Sequence, residues 1–159
     1  MVQAMTFPKD LLEQANYLAR RERRKPKQAS LRRAVSTAYY ALFHLLIAEA
    51  VGNWKRTDQR TKLARTFEHG RMKQASIKTV KEEFSGQSAQ TVMDLQKVAD
   101  AFIRLQDFRH KADYDNTFTL THTEALRQIA LASDAFASWS AIRKEKIAQD
   151  YFLALLIHR

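Results

Sequence analysis

The chain has 159 residues, 45% of them hydrophobic, and carries 27 Lys and Arg against 17 Asp and Glu for a formal charge of +10 at pH 7. That length suits one domain, residues 1–159, with a real core, while three glycines and two prolines leave little turn chemistry for a sheet and so favour helices. The absence of cysteine excludes disulfides, thiolate metal sites and cysteine nucleophiles, and the positive charge reads either as attraction for polyanions, such as RNA, DNA or an acidic protein, or as a basic solvated surface.

Thr6-Phe7-Pro8-Lys9-Asp10 reads as a helix start, with a threonine able to cap, a proline near the first turn and an acid behind it. The helix runs to Arg20–Arg23 with Leu11, Leu12, Ala15, Leu18 and Ala19 as its buried stripe. RRERRKPKQ at 20–28 is the densest basic stretch, a phosphate-contacting edge or a frayed helix end, with no aromatic interleaved for stacking. The central helix begins near Gln28–Ser30 and stops at Gly52, expected as a left-handed terminal residue. Its Leu31, Ala34, Val35, Ala38, Leu42, Leu45 and Leu46 recur at three- and four-residue steps, while Tyr39, Tyr40, Phe43 and Ile47 open a second apolar face. Adjacent tyrosines point to different sides, so at most one is expected to face any shared site, and core or dimer packing is the simpler role for both.

Thr57 is expected to cap a short helix ending near His69-Gly70, and a further helix covers about 71–84. A break at Ser85–Ser88 precedes a second long core helix, 88–112, with Val92, Leu95, Val98, Ala99, Phe102, Ile103, Leu105 and Phe108 on its face. Asp113–Leu120 suits a loop, and Thr121-His-Thr-Glu124 matches a capping box that opens one long final helix reaching almost to the last residue. The order implies an all-α fold, an antiparallel up-and-down bundle of four to five main helices. Surplus apolar surface on the central and final helices implies a homodimer. No apolar run reaches the ~18 residues that span a bilayer, and the start lacks a secretory signal, so a cytoplasmic chain with no membrane contact is the expectation.

The five histidines, His44, His69, His110, His122 and His158, show no metal-ligand spacing, and no Gly-rich phosphate loop or nucleophile elbow occurs. No metal and no cofactor is expected. What remains is Arg104-Leu-Gln-Asp-Phe-Arg109-His110-Lys-Ala-Asp113-Tyr114-Asp115 at the end of a core helix. Arg109 can grip a phosphate, His110 can move a proton near neutral pH and Tyr114 can stack on a base. On a continuous helix, however, Arg109 and Asp113 share a face and form an ordinary ion pair. His44 reads as a satisfied half-buried histidine. Arg32 and Arg33 read as solvated, or as the extension of a basic strip.

LRRAVSTAYYALFH at 31–44 resembles the second-helix signature of prokaryotic HEPN domains, and Arg109-His-Lys-Ala-Asp-Tyr114 is similar to the R-x-x-A-D-Y form of small stand-alone, UPF0332-like members. The resemblance implies a dimerising helical bundle. Many relatives so identified are metal-independent endoribonucleases, toxins or defence effectors, often partnered with a minimal nucleotidyltransferase antitoxin. In the active ones, arginine binds the phosphate while a histidine four to six positions on acts as acid or base at the dimer interface. Here Arg109, His110 and Tyr114 occupy the catalytic positions, with Arg104, Asp113, Arg32 and Arg33 as candidate RNA or nucleotide contacts. Tyr114 stands where that histidine is expected, and its ordinary pKa near ~10 makes it a poor proton shuttle. Arg104 and His110 meet the spacing only if the helix bends, since six steps place them about 120° apart. The departure shifts weight towards RNA or nucleotide binding with a degenerate motif, the alternative being a non-catalytic interaction subunit of a two-component pair.

Overall fold

Alanines and leucines at helical spacing make the central segment a helix that several neighbours can approach at once, and the architecture follows from it. The computed structural model describes residues 2–157, with side chains from Thr6 onward. Its helices are α1 (Val2–Ala19), α2 (Gln28–Gly52), α3 (Arg60–Ala64), α4 (His69–Lys81), α5 (Ala89–Tyr114), α6 (His122–Ile142) and α7 (Lys146–Leu156), with a 3₁₀ turn at Thr57–Gln59. Among the described residues no strand occurs, so the chain is an all-α bundle. His158, one of the histidines noted above, lies outside the described residues.

Helix α2 packs against α1, α3, α5, α6 and α7. Leu31, Ala34, Val35, Ala38, Tyr39, Leu42 and Leu46 are essentially without solvent contact, and the alanine faces of α1 (Ala15, Ala19) and α2 (Ala34, Ala38) share one core. By length and composition α2 could cross a bilayer, but most of it is covered by its neighbours, as a core helix is. Helix α5 contributes Leu95, Val98, Ala99, Phe102 and Leu105 to the same core. Its start is fixed by Ser88, whose hydroxyl accepts from the Thr91 amide at 3.1 Å. The capping box at Thr121 forms as read: Glu124 donates its amide to the threonine hydroxyl at 3.1 Å, and its carboxylate accepts from the Thr121 amide at 2.9 Å.

Several boundaries differ from the sequence reading. Helix α1 starts before Thr6 and takes Pro8 into its body; a proline this near the start removes a single backbone bond and keeps a helical φ. Gly52 is not left-handed. Main-chain turns from Asn53 and Trp54, together with the Arg60 guanidinium on the carbonyls of Gly52 (3.2 Å) and Trp54 (2.9 Å), satisfy that helix end instead. The expected single final helix is two. Ile142, Ile147, Tyr151 and Leu155 are buried, and the five-residue step after Ile142 shifts the apolar stripe out of phase with α6. The chain breaks at 143–145, and α7 folds onto α4. Trp139 and Phe152 meet across the bend at 4.8 Å, and the buried hydroxyls of Tyr151 and Ser76 join α7 to α4 at 2.7 Å.

Helices α4 and α5 run antiparallel. Gln96 donates to the Val80 carbonyl at one end, and Lys73 pairs with Asp107 at 2.6 Å further along. The register brings the start of α4 beside the last two turns of α5.

Candidate nucleic-acid interface

Arg109 to Tyr114 is helical throughout, because α5 continues to Tyr114 and the loop begins only at Asp115. A continuous helix spreads these six residues around its circumference, so they divide between an inward and an outward face. It also keeps Arg104 and His110 apart: the bend that would pair them is absent, and Arg104 pairs with Asp100 at 2.9 Å on the exposed side.

The inward face holds Arg109, 9% exposed. Its guanidinium carbon stands 5.1 Å from the ring centroid of Tyr39 and 5.7 Å from that of Tyr40. Both adjacent tyrosines therefore face the site, contrary to the expectation that at most one would: their backbone positions differ by about 100°, but the long rings converge on one cation. The ion pair with Asp113 is present but loose, with 3.9 Å between Nη1 and Oδ2, beyond hydrogen-bond range. The other carboxylate oxygen of Asp113 accepts from the Ser36 hydroxyl at 2.5 Å. Arg109 Nε is buried without a hydrogen-bond partner, an under-satisfied donor on a cation that has left water.

His69, the first residue of α4, completes this cluster, and the sequence reading had not singled it out. Its Nδ1 lies 2.5 Å from the Tyr39 hydroxyl, and its ring stacks on Phe43 at 4.2 Å between centroids. Burial, then the Arg109 charge, then His44 lower its pKa below the ordinary imidazole value. His44, against Phe7 at 5.0 Å, is lowered by burial alone, as a half-buried core histidine should be. Burial pushes the Tyr39 phenol well above its ordinary range, and the Arg109 charge offsets only part of that.

These shifts fix the sign of a pH dependence. Both imidazoles bind protons less readily in the fold than in the unfolded chain, so stability is fully present above the unfolded histidine pKa, ~6.5, and falls as pH drops below it. Thermal unfolding at about pH 7.5 and pH 5.5 is expected to show the loss, and the double substitution His44→Gln with His69→Gln to reduce the difference between the two pH values. A variant with undiminished pH dependence would place its origin elsewhere.

The outward face carries His110 and Tyr114, four residues apart, with ring centroids 5.1 Å from each other and Tyr114 68% exposed. Beside them is a cleft of about 410 Å³ lined by Lys73, Gln106, Asp107, His110 and Lys111. His110 thus opens on the α4–α5 cleft, while Arg109 faces the tyrosines of α2. Arg33 is exposed. Arg32 turns away from this cleft and donates to the carbonyls of Ala112 (3.2 Å), Asp115 (2.8 Å), Asn116 (3.4 Å) and Phe118. Among the described residues no three His, Asp or Glu side chains converge as metal ligands do. The chain matches no protein-family model, no curated protein sequence and no solved structure.

Proposed function

We propose that this is a HEPN-like helical protein that binds RNA along the α4–α5 cleft, with His110 and Tyr114 offered to bases and Lys73 and Lys111 to phosphates. The observation that carries the reading is the outward pair of rings on α5, adjoining a cleft with two lysines on its walls. Stacking rings beside cations are what a single strand needs, because every base presents a π-face and every linkage a charge. Arg109, one position away but turned inward among the tyrosines of α2, lies beneath the strand and not on the cleft wall. The separation of Arg109 from His110 speaks for binding over cleavage, since general acid–base chemistry on a phosphodiester needs the cation and the proton carrier at one phosphate.

Fluorescence anisotropy with labelled single-stranded and hairpin RNAs, in EDTA, tests this. Binding should weaken between about 50 and 200 mM salt, and Lys111→Ala should flatten the slope of log affinity against log salt by about 0.7, one phosphate's share for a single strand. Tyr114→Ala should weaken binding by about 5- to 150-fold, the worth of one base–aromatic stack. The RNA should stay intact. Absence of binding at low salt would defeat the proposal and favour the protein-interaction subunit. Cleavage that Arg109→Ala abolishes would favour the ribonuclease.

A further inference from the structure

The segment between α2 and α4 sets four unpaired cations around one exposed, fixed ring. Lys55, Arg56, Arg60, Lys62 and Arg65 stand there against a single acid, Asp58. Arg60 has a structural task, since its guanidinium donates to the carbonyls of Gly52 and Trp54. Lys55, Arg56, Lys62 and Arg65 are exposed, and among the described residues none of the four makes an ion pair or a side-chain hydrogen bond. Trp54 is 47% exposed, and among the described residues no other ring or cation stacks on it. The ring is nonetheless held in place. Its indole nitrogen donates to Gln59 Oε1 at 2.9 Å, its amide donates to the Val51 carbonyl at 2.9 Å, and Arg60 clasps its carbonyl. Asn53, the residue before it, donates to Gln149 and so ties the loop to α7. Ala64 and Phe67 pack on the core, which leaves Lys62 and Arg65 on the solvent side, at three-residue steps beyond the Gln59 that holds the indole. A ring fixed in advance loses little freedom when a ligand stacks on it, which is what a binding platform requires.

We propose that Trp54 to Arg65 forms a second surface for single-stranded RNA, with one base stacked on the Trp54 indole and the adjoining phosphates on Lys55, Arg56, Lys62 and Arg65. A nucleobase supplies the flat π-face that the open side of the indole can meet, and the linkages on either side supply the charges. The basic stretch at 20–28 is denser in charge but has no aromatic among its cations, so it suits counterion exchange and not stacking. An anionic membrane surface attracts cations too, but it rewards several apolar side chains that enter together. Trp54 is the single exposed large hydrophobic residue between 53 and 68, which fits one stacked base better than a lipid layer. This surface shares no residue with the α4–α5 cleft and does not depend on it.

The chain has two tryptophans, and the other, Trp139, is buried in the core, so quenching by a stacked base reports Trp54. Titration with an oligouridylate of about 12 nucleotides at low salt is expected to quench the emission saturably. Trp54→Ala should leave a Trp139 signal that the oligonucleotide does not alter; Trp54→Phe is the second variant should that one fold poorly. Arg56→Ala combined with Lys62→Ala should flatten the salt slope of the quenching by about 1.4, two phosphates' share for a single strand. Arg23→Ala combined with Arg24→Ala, exposed cations of the stretch at 20–28, should leave that slope unchanged. Equal losses in the two double variants would overturn the surface by tracing the attraction to overall charge. Absence of quenching would overturn it as well, and anisotropy that still records binding would then leave the cleft reading standing. Quenching in a protein whose Lys111→Ala and Tyr114→Ala variants bind as the parent does would keep this surface and remove the cleft reading. A blue shift of Trp54 with vesicles of anionic phospholipid, and no quenching by the oligonucleotide, would assign the segment to membranes and overturn the RNA assignment.

Discussion

Replacing Arg109 by alanine is expected to lower the unfolding free energy by about 2–4 kcal/mol and RNA affinity at least tenfold. The stability loss has three sources. Two tyrosine faces lose a partly desolvated cation, worth roughly 0.5–2 kcal/mol each. Asp113 loses a basic partner, a moderate cost because its side chain is 28% exposed and still accepts from Ser36. The space between α2 and α5 loses the long aliphatic stem that Arg109 buries. Arg109→Lys separates the roles: it keeps charge and much of the stem but loses the planar fork, so most of the stability should return while phosphate affinity stays reduced. Urea unfolding read beside anisotropy makes the comparison. An alanine variant as stable as the parent would mean that the tyrosine box contributes nothing to the fold.

The fold could be read from the sequence wherever its causes are local. The α2 stripe and the Thr121 capping box each depend on residues within a turn or two of one another, and they formed as the spacing predicts. The break between α6 and α7 was also present in the sequence as the five-residue step from Ile142 to Ile147, but a count of apolar residues alone reads through it. The Arg109–Asp113 pair was legible because it is an i,i+4 relation on one helix. His69 was not. The contact that gives it a role, to Tyr39 thirty residues away, depends on how α4 docks, and a lone histidine beside a glycine resembles a helix end as much as a helix start. The box around Arg109 was hidden for a similar reason: pointing directions along α2 describe Cβ vectors, whereas two long rings can close on one guanidinium from either side. What stayed outside sequence reach is thus mostly inter-helical.

The same distinction governs Arg32, whose replacement by alanine is expected to destabilise the protein by about 2–4 kcal/mol while leaving the salt dependence of RNA binding unchanged. Read locally, Arg32 is a basic residue at the start of α2, free to extend a phosphate-binding strip. In the fold its guanidinium crosses to the end of α5 and donates to the carbonyls of Ala112, Asp115, Asn116 and Phe118. The last carbonyls of a helix lack internal donors and carry its negative dipole end, so a fixed cation satisfies both requirements there. Charged hydrogen bonds of this kind contribute about 1.5–3 kcal/mol each where partly buried, and less where water competes. The neighbourhood reinforces the clasp. Gln28 bonds both the carbonyl and the amide of Leu120, at 2.6 and 2.9 Å, and Leu120 packs with Leu31, Val35 and Ala125. Removing Arg32 should therefore release residues 112–118 first, seen as faster amide hydrogen exchange there than in the body of α5. Arg32→Lys should recover only part of the stability, because a single ammonium cannot reach four carbonyls in the way a fork can. If Arg32→Ala instead keeps full stability and flattens the salt slope by about one phosphate, the guanidinium belongs to the RNA surface, and the end of α5 is held by the Leu120 packing without it.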